Sequence, residues 1–185
     1  TGAAERFRQA IALQPHAPLL RAMLARALSH AGQPEAAIRE LQATFSDHPD
    51  NAIAAIFRIG LLAISKPEPA LAEQAWQLAE QRDAPPYALS ILSYVLARCG
   101  RTDEARALID ACLACSASSP GSAAMHAAAC AALGDTERAV QLIVHAFNTH
   151  CAVLPMLLRD PGTAALRRHP QISALHVAVF GHRVG

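Results

Sequence analysis

The sequence predicts an all-α fold, a linear array of helical hairpins, and three observations lead there. Alanine dominates the apolar residues and aromatics make up only 4% of the chain. That mix favours closely packed helices, because Ala is the best helix former and β-branched strand formers are few. The segment "RCGRTDEARAL" at 98–108 recurs in outline as "ALGDTERAVQL" at 132–142, and Gly100 and Gly134 lie one 34-residue step apart. Two more such steps back reach Gly32, and self-similarity at one fixed spacing marks a repeat array. Finally, short polar stretches with Gly or Pro punctuate the apolar runs at the intervals that helix pairs require.

Each element follows from these signals. The stretches "HAGQPEA", "SKPEPA", "CGRTDEA" and "LGDTERA" each combine a helix stop with a helix start. Gly supplies the left-handed C-terminal conformation, and Pro, Thr or Asp opens the next helix. Glu stands in or near each first turn, where the helix dipole favours negative charge. Pro15 and Pro49 close the first two units. Helices are therefore predicted over residues 3–14, 18–31, 34–46, 52–65, 68–82, 86–99, 102–116, 120–133 and 136–149. Three columns recur at the same step: Ala3, Ala37, Leu71, Ala105 and Ala139; Phe7, Leu41, Ala75, Ile109 and Ile143; Ala10, Thr44, Leu78, Cys112 and Ala146. The third unit also reads one residue later, as Ala72, Trp76 and Ala79.

This pattern resembles the tetratricopeptide repeat, a helix-turn-helix of 34 residues that pairs a small residue with a bulky one four along, then a second small residue and a closing proline. The resemblance covers roughly residues 3 to 151. It departs from the family in lacking the tryptophan opening and in ending its last units on Ala117 and Cys151. It implies a right-handed superhelical solenoid, with a repeat array of about four and a half units over residues 1–151 and a capping helix and tail over 152–185. The first unit has only its second helix, so the chain is expected to be a fragment of a longer protein.

The tail "LPMLLRDPGTAALRRHPQISALHVAVFG" breaks the period. With Asp160-Pro161, Leu166-Arg167 and His169-Pro170 it resembles the segment that closes repeat arrays in some bacterial transcriptional regulators and adenylate cyclase-like proteins. Ile172, Leu175 and Val179 are expected to cover the last helix pair.

In the family the first helix of each unit lines a concave groove. Transferred here, the groove-facing residues are Met23, Arg26 and His30, then Ile56, Phe57, Gly60 and Ile64, then Tyr87, Ser90, Ile91, Tyr94 and Arg98, then Met125. The resemblance thus implies a scaffold that binds a protein or peptide, such as an amphipathic helix or an extended apolar segment, within a larger bacterial regulatory protein. Three other readings stay open: a targeting or regulatory appendage of an enzyme such as a glycosyltransferase or cyclase, self-association as a homodimer through Phe7 and Ile11, and a groove filled in part by the chain's own tail or by tight superhelical packing. The paired Lys and Asn by which some members hold a C-terminal carboxylate have no counterpart, since Lys66 falls at a turn and Asn51 and Asn148 lie at helix ends. Arg26 and Arg98 are left for an acidic partner.

Composition excludes other classes. A net charge of +1 gives no cationic field for nucleic acid or a membrane surface. No apolar stretch approaches the ~18–20 residues of a spanning helix. The five cysteines sit in helix-like contexts, which points to a reducing, cytoplasmic setting. Cys112 and Cys115 of "CLAC" could join a metal only with ligands such as His145, His150 or Cys151, and Cys112 occupies a core column; it reads as a buried thiol. No nucleophile, acid-base or phosphate-loop motif appears, so neither catalytic residues, metal nor cofactor is expected.

Overall fold

The computed structural model describes residues 2–47, 50–80, 84–115 and 123–181. Its elements are helical throughout these residues: α1 (Gly2–Leu13), α2 (Pro18–His30), α3 (Pro34–Asp47), α4 (Ala52–Ser65), α5 (Pro69–Ala79), α6 (Pro86–Arg98), α7 (Thr102–Cys115), α8 (Ala127–Ala132) and α9 (Thr136–Asn148). The tail adds α10 (Leu154–Arg159), a 3-10 helix (Pro161–Arg168) and α11 (Pro170–Phe180). The predicted helix ends at 81–82 and 116, the helix start at 120–122, and the unit ends at Pro49 and Ala117 lie outside the described residues.

Three corners share one geometry. Gly32, Gly100 and Gly134 adopt φ of 75°, 84° and 77°. The next amide then reaches back to close the preceding helix: Gln33 N to Leu28 O, Arg101 N to Leu96 O and Asp135 N to Cys130 O, each at 3.0 Å. A left-handed residue is what turns the chain sharply enough for that bond, and glycine adopts it without a steric penalty. Asn51 and Asp135 then cap helix starts, accepting from Ala54 N and Arg138 N at 3.0 and 3.2 Å. The α4–α5 corner has no glycine. There Lys66 N bonds to Leu62 O at 2.7 Å, and Arg98 from the next unit donates to Ala63 O and Ile64 O at 3.1 and 3.2 Å. A side chain thus satisfies carbonyls that a helix end leaves open.

The hairpins stack as an all-α solenoid. The first helices α2, α4, α6 and α8 stand side by side in one wall, and the second helices pack behind them. Stacking at this range needs small residues at the crossings. Ala37, Ala105 and Ala139 are fully buried, as are Leu41, Ile109, Ile143, Thr44 and Ala146. In the third unit Leu71, Ala72 and Ala75 are all buried while Trp76, Leu78 and Ala79 are half-buried, so α5 turns a broad face inward and both registers contribute.

Two expectations are corrected. Ala3 is exposed and Ala4 is buried instead. The inward stripe of α1 is Ala4, Phe7 and Ile11, a spacing of three and four that suits packing on α2. The helix predicted over 120–133 is also interrupted at Met125–His126, where His126 N bonds to Ala123 O in a tight i to i−3 step before α8 begins.

The tail returns to the array. The 3-10 helix packs on α8, and α11 packs on α9. Ile172 and Leu175 are buried and Val179 is half-buried against the same core. Tyr87 and Ile91 touch both the N-terminal core cluster and the larger one that runs to the tail.

Candidate functional site

Helical spacing brings one set of side chains to the wall. Phe57, Gly60, Leu61 and Ile64 follow the i, i+3, i+4, i+7 stripe of α4, and Arg26, Ser29 and His30 share a face of α2. With Ser90, Ile91 and Tyr94 of α6, and with Met125 and Ala128, they line a half-open cavity of about 70 Å³. Leu157, Asp160 and Pro161 of the tail form its remaining side. Phe57 and Tyr87 rings stack at an angle behind it, centroids 6.3 Å apart. Ser90 Oγ donates to Tyr87 O at 2.7 Å, so its hydroxyl is satisfied within its own helix.

An ionic clasp closes one end. Arg26 Nη2 donates to Asp160 Oδ2 at 2.9 Å, and His30 Nε2 lies 3.4 Å from the same oxygen. Asp160 Oδ1 accepts from Gly162 N at 2.8 Å, which caps the 3-10 helix. Burial pushes the Asp160 carboxyl up, but the His30 hydrogen bond, the Arg26 charge and the Gly162 amide outweigh it and hold the carboxyl below its ordinary range. Burial chiefly raises the Tyr94 phenol, with the neighbouring Arg98 charge opposing and Asp160 adding to it.

The tail is a wall rather than a lid. Leu157, Leu158 and Leu166 are at most 2% exposed, and re-exposing each would cost about 1.5–3 kcal/mol. Thr163 donates from its hydroxyl to Leu157 O at 2.6 Å, locking the turn. A Cβ on Gly162 would come within 3.0 Å of Ala128 Cβ and 3.2 Å of Tyr94 Cε2, so any larger residue here would have to push these neighbours aside.

Of the groove residues predicted from sequence, Arg26, His30, Phe57, Ile64, Ile91, Tyr94 and Met125 line the cavity, together with Gly60 and Ser90. Met23 packs into the N-terminal cluster, Ile56 is buried in the larger core, and Tyr87 sits behind Phe57. Arg98 is bonded to the end of α4. Sequence reasoning missed Ser29, Leu61 and Ala128 as lining, and had the chain's own tail only as an alternative occupant of the groove, without naming its residues. Leu61 was legible as the i+4 neighbour of Phe57; the tail residues, lying outside the period, carried no such signal.

Other reactive groups are packed away. His126 is fully buried, its Nδ1 3.3 Å from Ser93 Oγ, and burial with the nearby Arg138 charge lowers its pKa to about 4. Burial raises the Cys112 thiol, aided by Cys115, and raises Cys130 to about 11, so neither is a ready nucleophile. Among the described residues no group of three His, Cys, Asp or Glu side chains is placed to hold a metal, and no helix is long and apolar enough to cross a membrane.

Two models of the tetratricopeptide repeat match the chain, one over residues 1–57 and the other over 86–111 and 120–143. Together they span more than half of it. No curated protein and no solved structure matches significantly. Repeats of this kind generally mediate protein–protein interaction and are typically non-catalytic. Hairpins, corners and both matches lead to one conclusion: the chain belongs to the tetratricopeptide-repeat family.

Proposed function

We propose that the α2–α4–α6–α8 wall is a docking surface for another polypeptide, an amphipathic helix or extended segment that inserts one apolar side chain into the tail-closed pocket. The observation that carries this reading is the cavity of about 70 Å³ with apolar walls from Phe57, Ile64, Ile91, Tyr94 and Met125 and a charged end at Arg26. Pockets for small organic ligands run to roughly 300–1,000 Å³, whereas an anchor residue needs room for a single side chain, and Tyr, Arg and Met are residue types that interfaces favour.

Peptide-display selection against the chain, followed by calorimetry with the selected peptides, tests it. Ile64→Glu and Met125→Glu are the useful variants, because both positions are only half-buried; Phe57 is 4% exposed, so its truncation would disturb folding as well. Each glutamate is expected to weaken binding about tenfold or more. Undiminished affinity in both would locate the docking surface elsewhere.

The wider setting proposed is a cytoplasmic regulatory segment of a larger bacterial protein. Support comes from the tail's resemblance to the closing segment of bacterial regulators and from five cysteines that all remain free thiols, as in a reducing compartment.

A further inference from the structure

The pocket's dimensions say which anchor it takes. Resting on the docking reading above, we propose that it is a size filter admitting a branched aliphatic side chain flanked by an acidic residue, excluding aromatic rings, and that the Arg26–Asp160 clasp sets its width.

Volume is the first ground. A closed apolar cavity that accepts benzene measures about 150 Å³, roughly twice the 70 Å³ here. The walls also have little room to give. A Cβ on Gly60 would fall 2.6 Å from Ile91 Cγ2, so α4 and α6 are already in tight contact and Ile91 cannot move toward α4. On the facing side Gly162 lies against Tyr94 and Ala128, pinned there through Asp160. Widening the pocket means moving the tail, and the tail is tied to α2 by the clasp.

Charge supplies the second ground. Arg26 has five donors and its one hydrogen bond among the described residues is to Asp160. The guanidinium in the pocket lining therefore keeps donors for an incoming carboxylate, which it meets with the geometry Arg favours.

Methionine methyl NMR tests the proposal on the whole chain. The three methionines give one reporter in the pocket, Met125, and two outside it, Met23 and Met156. The probes are the blocked dipeptides acetyl-Asp-Leu-amide, acetyl-Asp-Phe-amide and acetyl-Asn-Leu-amide. The Asp-Leu probe is expected to move Met125 alone, with an apparent affinity about tenfold or more above that of Asp-Phe, the scale on which hydrophobic pockets discriminate. Asn-Leu should fall below Asp-Leu. In Asp160→Asn, and in Arg26→Gln as a second variant acting from the other partner, the preference for Leu over Phe should shrink toward parity. Equal or tighter binding of Asp-Phe to the unaltered chain would overturn the filter while leaving the pocket standing. Equal binding of Asn-Leu would overturn the acidic flank, and a preference unchanged in both cooperatively melting variants would overturn the clasp's part. If no probe moves Met125, the docking reading itself fails.

Discussion

Arg26 and Asp160 stand 134 residues apart in the chain and 2.9 Å apart in space. One sits in the first helix of the wall and the other in the tail, so their pairing ties the two ends of the array across the surface they enclose. Arg26 is 19% exposed and Asp160 16%, dry enough for the pair to matter and too wet for a full desolvation penalty.

Acid should loosen the clasp in a defined window. The Asp160 carboxyl is depressed in the fold, so the unfolded chain binds its proton first as pH falls. Its contribution is complete above the unfolded value of about 3.9 and is lost as pH drops through the folded one. Urea midpoints should therefore decline below about pH 4, and Arg26→Ala should blunt that decline. At neutral pH Arg26→Ala is expected to cost about 1–3 kcal/mol, because a half-buried carboxylate loses its charged partner. Asp160→Asn should cost less, since its amide oxygen can still accept from Gly162 N.

His126 governs a second, higher window. Its folded pKa of about 4 lies below the ordinary 6.5, so between these values the unfolded chain takes up a proton that the fold refuses. Stability is full above pH 6.5 and falls as pH drops toward 4, by an amount on the order of 3 kcal/mol. Replacing it as His126→Gln should flatten the urea midpoint across that interval, whatever its effect at neutral pH. A profile that still slopes equally would assign the dependence to other groups.

A corner residue offers a gain. His150 holds φ at 52° and occupies the same place as the corner glycines, with Cys151 N closing on Ala146 O at 2.8 Å. A left-handed conformation costs a non-glycine residue roughly 1–2 kcal/mol, and glycine returns part of that as chain entropy. His150→Gly is expected to stabilise by about 0.5–1 kcal/mol, read as a higher denaturation midpoint at unchanged slope. Gly100→Ala should move the other way.

The neighbouring alanines of α1 test its rotation. Leucine at buried Ala4 should destabilise by about 1–3 kcal/mol through overpacking, whereas leucine at exposed Ala3 should fall within about 0.5 kcal/mol of the parent. The opposite order in thermal melts would restore the strict 34-residue column.

How much of this was legible follows from what a period can encode. The corners at Gly32, Gly100 and Gly134 and the columns through Ala37, Ala105 and Ala139 were readable because each unit meets its neighbour in the same way. Placement of Arg26, Phe57, Ile64, Ile91 and Tyr94 on one wall followed from the family resemblance, which puts the first helix of each hairpin on the groove. Ala4 was missed because α1 takes its rotation from α2, a local match no repeat enforces. Arg98 was read as groove-facing, since nothing local shows that a glycine-free corner one unit earlier needs its donors. Asp160 was recognised as part of a tail motif but given no partner, because a contact spanning the whole array leaves no periodic trace.

The claim on which the rest depends is that the tail closes the wall, and a double-mutant cycle on Arg26→Ala and Asp160→Ala measures it most directly. Denaturation of the parent, both single variants and the double variant should give a coupling energy of about 0.5–3 kcal/mol at pH 7, diminishing as Asp160 titrates. Additivity within about 0.3 kcal/mol would mean that the two ends do not meet, and the pocket between them would go with it.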